Sequence, residues 1–205
     1  MLSKKGFNDW ASNYDKQLSP SKGYPFEGYN EVILFVQSLI KISKNTKILD
    51  IGIGTGKLSK SLYEKNAKIY GVDFSKKMIN IAKSKMPKGI FEVFDFKNGL
   101  PERFQKNKFD FIISSYALHH LNDVEKVNLL NNCKSLIKYT GAIIIADIAF
   151  KNKIDLKSCR EKYVDVWDDS EYYFKADEFA NSLGSKFNDV SYSQISECAG
   201  VFVIE

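Results

Sequence analysis

Three of the chain's twelve glycines fall within five residues, in Asp50-Ile51-Gly52-Ile53-Gly54-Thr55-Gly56. Glycines grouped this tightly let a backbone take positive φ and approach a ligand closely, with the amides of a following helix exposed beside it. The spacing excludes two phosphate-binding loops. A dinucleotide fingerprint, G-x-G-x-x-G, requires glycine where Lys57 stands, and a P-loop requires Gly at 51 and Ser or Thr at 58, where the chain has Ile51 and Leu58. A tight structural turn is the other reading of this element taken alone. Asp73 lies 19 residues beyond Gly54, a distance at which a carboxylate can accept both hydrogen bonds of a ribose diol. Beside Ser75 it also reads as a turn or capping aspartate. Asp95 and Phe96 offer a polar acceptor and a ring able to face an adenine.

The only histidines, His119 and His120, are adjacent. Either could take a proton near neutral pH, and capping or packing is the alternative for each. On a helix, consecutive side chains point about 100° apart, so one pocket is not expected to receive both. Tyr116, Tyr14 and Asp147 are further candidates to line an acceptor pocket. Trp10 and Tyr14 either pack the head segment against the rest of the chain or belong to a lid that closes over the site.

These residues need a scaffold that gathers loops. The apolar pattern predicts strands at 47–51, 68–72, 90–94, 109–115 and 142–148. Helices are expected at 30–42, 56–66 and 123–138, with a further one capped by Ser75 that carries Met78, Ile81 and Ala82 on one face. Apolar strands alternating with amphipathic helices imply a parallel sheet covered on both faces. Residues 155–183 read as helical up to Gly184, and 188–194 with 199–204 as a closing antiparallel hairpin at the sheet edge. The expected fold is therefore α/β, a doubly wound Rossmann-like sheet, mostly parallel with a C-terminal antiparallel hairpin. Ligands of such sheets bind beyond the carboxyl ends of the strands, which is where the glycine loop, Asp73, Asp95 and the histidines fall.

Taken together, 48–56, 70–75, 93–96 and the run Phe109-Asp110-Phe111-Ile112-Ile113-Ser114-Ser115-Tyr116-Ala117-Leu118-His119-His120-Leu121 resemble the class I S-adenosylmethionine-dependent methyltransferases. The resemblance spans nearly the whole chain. The head, Phe7-Asn8-Asp9-Trp10-Ala11-Ser12-Asn13-Tyr14-Asp15, is similar to that of small bacterial methyltransferases related to the ubiquinone and menaquinone C-methyltransferases, and Cys198-Ala199-Gly200-Val201-Phe202 is similar to a closing strand found in one group of them. The resemblance implies that Asp50, Gly52, Ile53, Gly54, Thr55 and Gly56 hold the methionine part of S-adenosylmethionine, that Asp73 holds the ribose hydroxyls, that Phe74 and Met78 flank adenine, and that Asp95 with the Phe96 backbone reads its edge. Ser114 and Tyr14 complete the implied cofactor site, S-adenosylhomocysteine is the implied product, and His119, Tyr116 and Tyr14 are the candidates for catalysis. A sulfonium is already an activated leaving group, so alignment and exclusion of water suffice and no metal is expected.

Composition bounds the acceptor. The chain has 205 residues, 44% of them hydrophobic and 27% charged, as expected of one globular domain over 1–205, with a lid-like head at 1–28, a cofactor-binding core at 29–150 and a helical insertion with hairpin at 151–205. The net charge of +5 comes almost wholly from scattered lysines, Arg103 and Arg160 being the only arginines. Nucleic-acid readers concentrate charge and favour Arg, so a nucleic-acid partner is not expected. The fourth block also lacks the Asp/Asn-Pro-Pro-Tyr/Phe run of enzymes that methylate adenine or glutamine amides, and it has no cysteine for a covalent cytosine adduct. A small-molecule acceptor is the expectation, with an RNA methyltransferase and a non-catalytic cofactor-binding module as rivals. No membrane span or secretory leader is expected, Cys133, Cys159 and Cys198 are spaced as isolated thiols, and a cytoplasmic monomer or homodimer follows.

Overall fold

A computed structural model describes residues 23–187 and 189–205. Tyr14, Trp10 and nearly all of the expected lid lie outside the described residues. The chain runs through α1 (Tyr29–Leu39), β1 (Lys47–Ile51), α2 (Lys57–Glu64), β2 (Lys68–Asp73), α3 (Lys76–Lys85), β3 (Ile90–Val93), α4 (Glu102–Gln105), β4 (Phe109–Ser115), α5 (Asp123–Lys134), β5 (Ile137–Phe150), α6 (Lys153–Lys162), β6 (Phe174–Lys175), α7 (Ala176–Leu183), β7 (Val190–Gln194) and β8 (Ala199–Ile204).

The strands form one eight-stranded sheet in the order β3-β2-β1-β4-β5-β8-β7, with β6 pairing β5 beside this path. β1 through β5 pair in parallel, while β8 runs antiparallel to both β5 and β7. Alternation along the central strands feeds two cores. Ile48, Ile113 and Ile144 point to the face covered by α1, α2, α3 and α6. Their neighbours Leu49, Ile112 and Ile143 point to the face covered by α4, α5 and α7. Period-two side-chain direction on doubly buried strands is why these segments read as unbroken apolar runs.

Two expectations are corrected. The helix beginning at Asp123, opened by a capping box between Asn122 and Glu125, stops at Lys134 rather than 138. Ser135 and Leu136 turn back through hydrogen bonds to Asn132 and Cys133, and Ile137 joins β5 opposite Phe109. The stretch 155–183 is also not continuously helical. After α6 the chain turns so that Trp167, Tyr173 and Tyr24 pack together, with ring centroids 4.8 Å apart for Trp167 and Tyr173 and 4.9 Å for Tyr24 and Trp167. Phe174 then pairs with Ala149 as β6. Aromatic burial there outweighs helical periodicity.

Candidate functional site

The carboxyl ends of β1, β2 and β4 converge on the glycine loop. Gly52 and Ile53 both donate to the Val72 carbonyl, at 2.9 and 3.0 Å, which ties the loop to the end of β2. The three loop glycines have φ of 72°, 53° and 79°, in order along the chain, a left-handed backbone that glycine alone adopts without strain. They differ in what surrounds them. A Cβ on Gly52 would lie 2.3 Å from the Ala117 Cβ, and one on Gly56 2.5 Å from the Met86 methyl, whereas one on Gly54 would meet none of the described residues within 4 Å. Gly52 and Gly56 are close-packing positions, and Gly54 is open at the strand ends among the described residues. Gly52→Ala is expected to cost about 2–5 kcal/mol, from backbone strain and overpacking together. Gly54→Ala is expected to cost about 1–2 kcal/mol, from backbone strain alone. Urea unfolding of both variants checks the contrast.

Two buried carboxylates flank this opening. Asp73 accepts from the Gly54 amide through Oδ2 at 2.9 Å and from the Ser75 amide through Oδ1 at 2.8 Å. Ser75 in turn caps α3, accepting from the Met78 amide. Asp50 is 1% exposed. Its Oδ2 accepts from the Ser59 hydroxyl at 2.6 Å, while its Oδ1 is buried without a hydrogen-bond partner. Burial pushes Asp50 up to about 7, aided by the charge on Asp73, and pushes Asp73 up to about 6 against its two backbone hydrogen bonds. A buried carboxylate oxygen with a vacant lone pair is costly unless a donor or cation meets it. Among the described residues no side chain caps α2, which opens on Gly56. Together these features form a cradle for a ligand with a positive head, an anionic group and a hydroxyl pair.

The other expected cofactor residues fall around the cradle with different roles. Ile53 and Thr55 are buried, and the Ile53 side chain closes over Gly71. Phe74 is half-buried at the tip of β2 and Met78 is buried on the first turn of α3. Asp95 caps a single 3-10 turn at Phe96–Asn98 by accepting from Lys97. The Phe96 ring turns inward, 4% exposed, and packs beneath Gly52, so it contributes backbone rather than a ring face to the opening. Ser114 is buried and donates to the Ile51 carbonyl at 2.8 Å, stitching β4 to β1.

Beyond the end of β4, Tyr116 takes φ of 49° and stacks on Tyr29 with centroids 4.9 Å apart. The next residues form a 3-10 turn, Leu118–His120, held by the wholly buried Asp147 at the far end of β5. Asp147 Oδ2 accepts from the Leu118 and His119 amides, at 2.9 and 3.2 Å. Its Oδ1 accepts from the Ile148 amide at 2.8 Å and meets His119 Nδ1 at 2.6 Å. Burial alone would raise Asp147, but His119, the Ile148 amide and the charge on Lys126 hold it below the ordinary carboxylate range. Burial likewise opposes charge on His119, yet Asp147 outweighs it and raises the imidazole above its usual value. An ionised carboxylate only accepts, so Nδ1 carries the proton and Nε2 is the basic nitrogen.

The two histidines share one cavity. Their ring centroids are 4.1 Å apart, and both line a space of about 200 Å³ together with Tyr24, Phe26, Tyr116, Asp168, Glu171 and Tyr173. The turn is 3-10 rather than α, and each ring is pulled by its own carboxylate, His120 Nδ1 lying 2.8 Å from Glu171 Oε2. The expectation that one pocket would not take both rings is therefore corrected. Glu171 and Asp168 are the site residues that sequence reasoning missed. Glu171 sits 51 residues from His120, brought there by the Tyr172 amide donating to the His119 carbonyl at 2.8 Å. The mixed acidic and aromatic run from Trp167 to Tyr173, inside a stretch read as helix, was the available signal.

The family model described as methyltransferase domain matches residues 42–187. An uncharacterized methyltransferase of Anoxybacillus flavithermus is 33% identical over 177 residues, covering 82% of this chain and 80% of the relative. One of Alkaliphilus oremlandii is 33% identical over 197 residues, covering 91% and 88%. Among solved structures, the DhpI-SAH complex superposes with a TM-score of 0.75 at 15% identity, over 98% of this chain and 94% of that one. The magnesium protoporphyrin IX methyltransferase of Synechocystis, with bound SAH, gives 0.68 at 17% identity over 99% and 100%.

Proposed function

The chain belongs to the methyltransferase domain family, and we propose that it moves a methyl group from S-adenosylmethionine to a small-molecule acceptor. The observation that carries the cofactor assignment is the unpartnered, buried Asp50 Oδ1 two residues before the glycine loop. It suits the cofactor's ammonium, as the open face at Gly54 suits its amino-acid backbone and Asp73 its ribose. Phe74, Met78, Asp95 and the Phe96 backbone surround the adenine. When bound, the cofactor supplies a methyl group on an activated sulfonium. The chain's own task is then to bind, orient and keep water out, with His119 Nε2 available for a proton released by the acceptor. The small cavity at Tyr116 and the histidines, about 200 Å³, supports a small acceptor over RNA. The likeness to quinone C-methyltransferases rests on the head at 7–15, outside the described residues.

No helix among the described residues is long and apolar enough to cross a membrane. Cys133, Cys159 and Cys198 are buried, with the Cys159 and Cys198 sulfurs 3.5 Å apart.

A thermal-shift titration tests the cofactor. S-adenosylmethionine and S-adenosylhomocysteine at 100 times Kd are each expected to add about 2.7 kcal/mol, raising the melting temperature by roughly 5–10 °C, with no rise from NADH. Absence of a rise with either sulfur ligand would remove the cofactor reading.

The affinity is expected to depend on pH. A cofactor ammonium favours ionised Asp50, whose ligand-free value is about 7, so binding below that pH expels a proton. Affinity for S-adenosylhomocysteine should be highest between about pH 7 and 8, fall toward pH 6 by up to about tenfold per unit per carboxyl, and fall again at higher pH as the ligand's own amino group loses its proton. Asp73, at about 6, steepens the fall below that point. Calorimetry in two buffers of different ionisation enthalpy counts the protons, and no release at pH 6.5 contradicts the Asp50 contact.

A further inference from the structure

The acceptor cavity has a distinctive charge pattern. Among its described lining residues there is no Lys or Arg, while Asp168 and Glu171 contribute two carboxylates and Tyr24, Phe26, Tyr116 and Tyr173 contribute four aromatic rings. The carboxylates are positioned groups. Asp168 Oδ1 accepts from the Ser170 amide at 2.8 Å and from its hydroxyl, and Glu171 Oε2 is held by His120. The Glu171 side chain is only 8% exposed. A pocket of this kind repels carboxylates and phosphates and attracts a cation, which aromatic rings further favour.

We propose that the methyl acceptor is a protonated amine, with Glu171 as its counter-charge and the aromatic wall as the seat of its apolar substituent. The proposal rests on the methyltransferase reading above and names the substrate class of that same site. Tyr116 joins the two halves, because Ala117, the residue after it, packs against Gly52 of the glycine loop.

An ammonium has no lone pair, so it must lose a proton before it reacts. His119 Nε2 receives that proton, its Nδ1–H remaining on Asp147. The freed nitrogen pair then forms the N–C bond as the S–C bond breaks, with that bonding pair staying on sulfur. Two positive charges enter, on sulfonium and ammonium, and two leave, on the imidazolium and the methylated ammonium. Glu171 thereby acts as the specificity-determining residue and His119 as the proton acceptor.

The test uses calorimetry on the full chain saturated with S-adenosylhomocysteine, with two matched triplets: phenethylamine, 2-phenylethanol and phenylacetate, and n-butylamine, n-butanol and butyrate. At least one amine is expected to bind tenfold or more tighter than its alcohol, with the acid weakest. Glu171→Gln should bring amine and alcohol within about threefold while S-adenosylhomocysteine affinity and melting temperature stay near wild type. Glu171→Ala serves as the second variant if Glu171→Gln melts early, and it should narrow the preference to the same extent. Equal or tighter binding of an alcohol or acid overturns the proposal, as does a preference that survives both substitutions or no binding by either triplet while S-adenosylhomocysteine binds. His119, His120 and Glu171 also present ligating atoms within 4.8 Å of one another. Amine binding that is lost to a chelator and restored by a divalent ion therefore also overturns the proposal in favour of a metal centre. Amine preference without any S-adenosylhomocysteine binding would instead break the cofactor reading and leave the cavity's selectivity standing.

Discussion

Asp73→Ala is expected to weaken S-adenosylhomocysteine binding about a hundredfold or more. Each hydrogen bond from a ribose hydroxyl to a charged acceptor contributes about 1.5–3 kcal/mol, and a diol makes two. The carboxylate already accepts one N–H on each oxygen, from Gly54 and Ser75, and two oxygens hold about four lone-pair sites, so a vacant one remains on each. Alanine removes the backbone contacts as well, which loosens the loop and lowers stability. Asp73→Asn separates the two effects. An amide keeps one acceptor and the side-chain volume, and it carries no charge to desolvate at a position where burial pushes the acid up to about 6. It should therefore melt within a few degrees of wild type and still lose most of the affinity, since its NH₂ meets hydroxyls and backbone amides as a donor. Calorimetric titration beside thermal melts decides the matter. Unchanged affinity in a folded Asp73→Asn protein removes the ribose assignment.

The place of Asp73 at the end of β2, beside the glycine loop, was legible in the sequence because the information was local. The residue stands at the end of an apolar run, a fixed distance from a glycine turn, and the parallel pairing Asp50↔Gly71 and Ile51↔Val72 follows from that topology alone. The same holds for the central strands, whose alternate residues supply the two cores. The acceptor side was only half legible. The adjacent histidines were visible, but their partners Asp147 and Glu171 lie 28 and 51 residues downstream, and no periodicity links them. Glu171 in particular depends on a turn that replaces the expected helix after α6. That turn exists because Trp167 and Tyr173 gain more from packing on Tyr24 than from helical hydrogen bonds, an outcome of tertiary contact. The inward turn of the Phe96 ring has the same origin, since the space beneath Gly52 that accepts the ring is created only when β1 and the loop after β4 meet.

The histidine turn leads to the second large effect, a loss of about 3–5 kcal/mol in Asp147→Ala. Asp147 is wholly buried and satisfies three backbone N–H groups, those of Leu118, His119 and Ile148, besides the imidazole of His119. Removing the acceptor leaves those donors in a place water does not reach, and breaking a buried charged pair typically costs this much. For a chain of this length the melting temperature should drop by roughly 6–20 °C. The pH dependence identifies the cause. Asp147 is held below its unfolded value, so its contribution is present above about pH 4 and fades as pH falls through the folded value. His119 is held above its unfolded value, so its contribution is complete below about pH 6.5 and fades as pH rises through the folded value. The gap between wild type and variant should therefore be widest between about pH 4 and 6.5 and narrow on both sides. Asp147→Asn keeps one acceptor for the backbone amides but cannot fix the imidazole proton on Nδ1 with a charge. It should recover most of the melting temperature while methyl transfer to the identified acceptor stays depressed, with its rise toward high pH displaced to lower pH as the His119 value falls back. Full recovery of both stability and rate in Asp147→Asn would show that the carboxylate shapes the turn and takes no part in tuning the base.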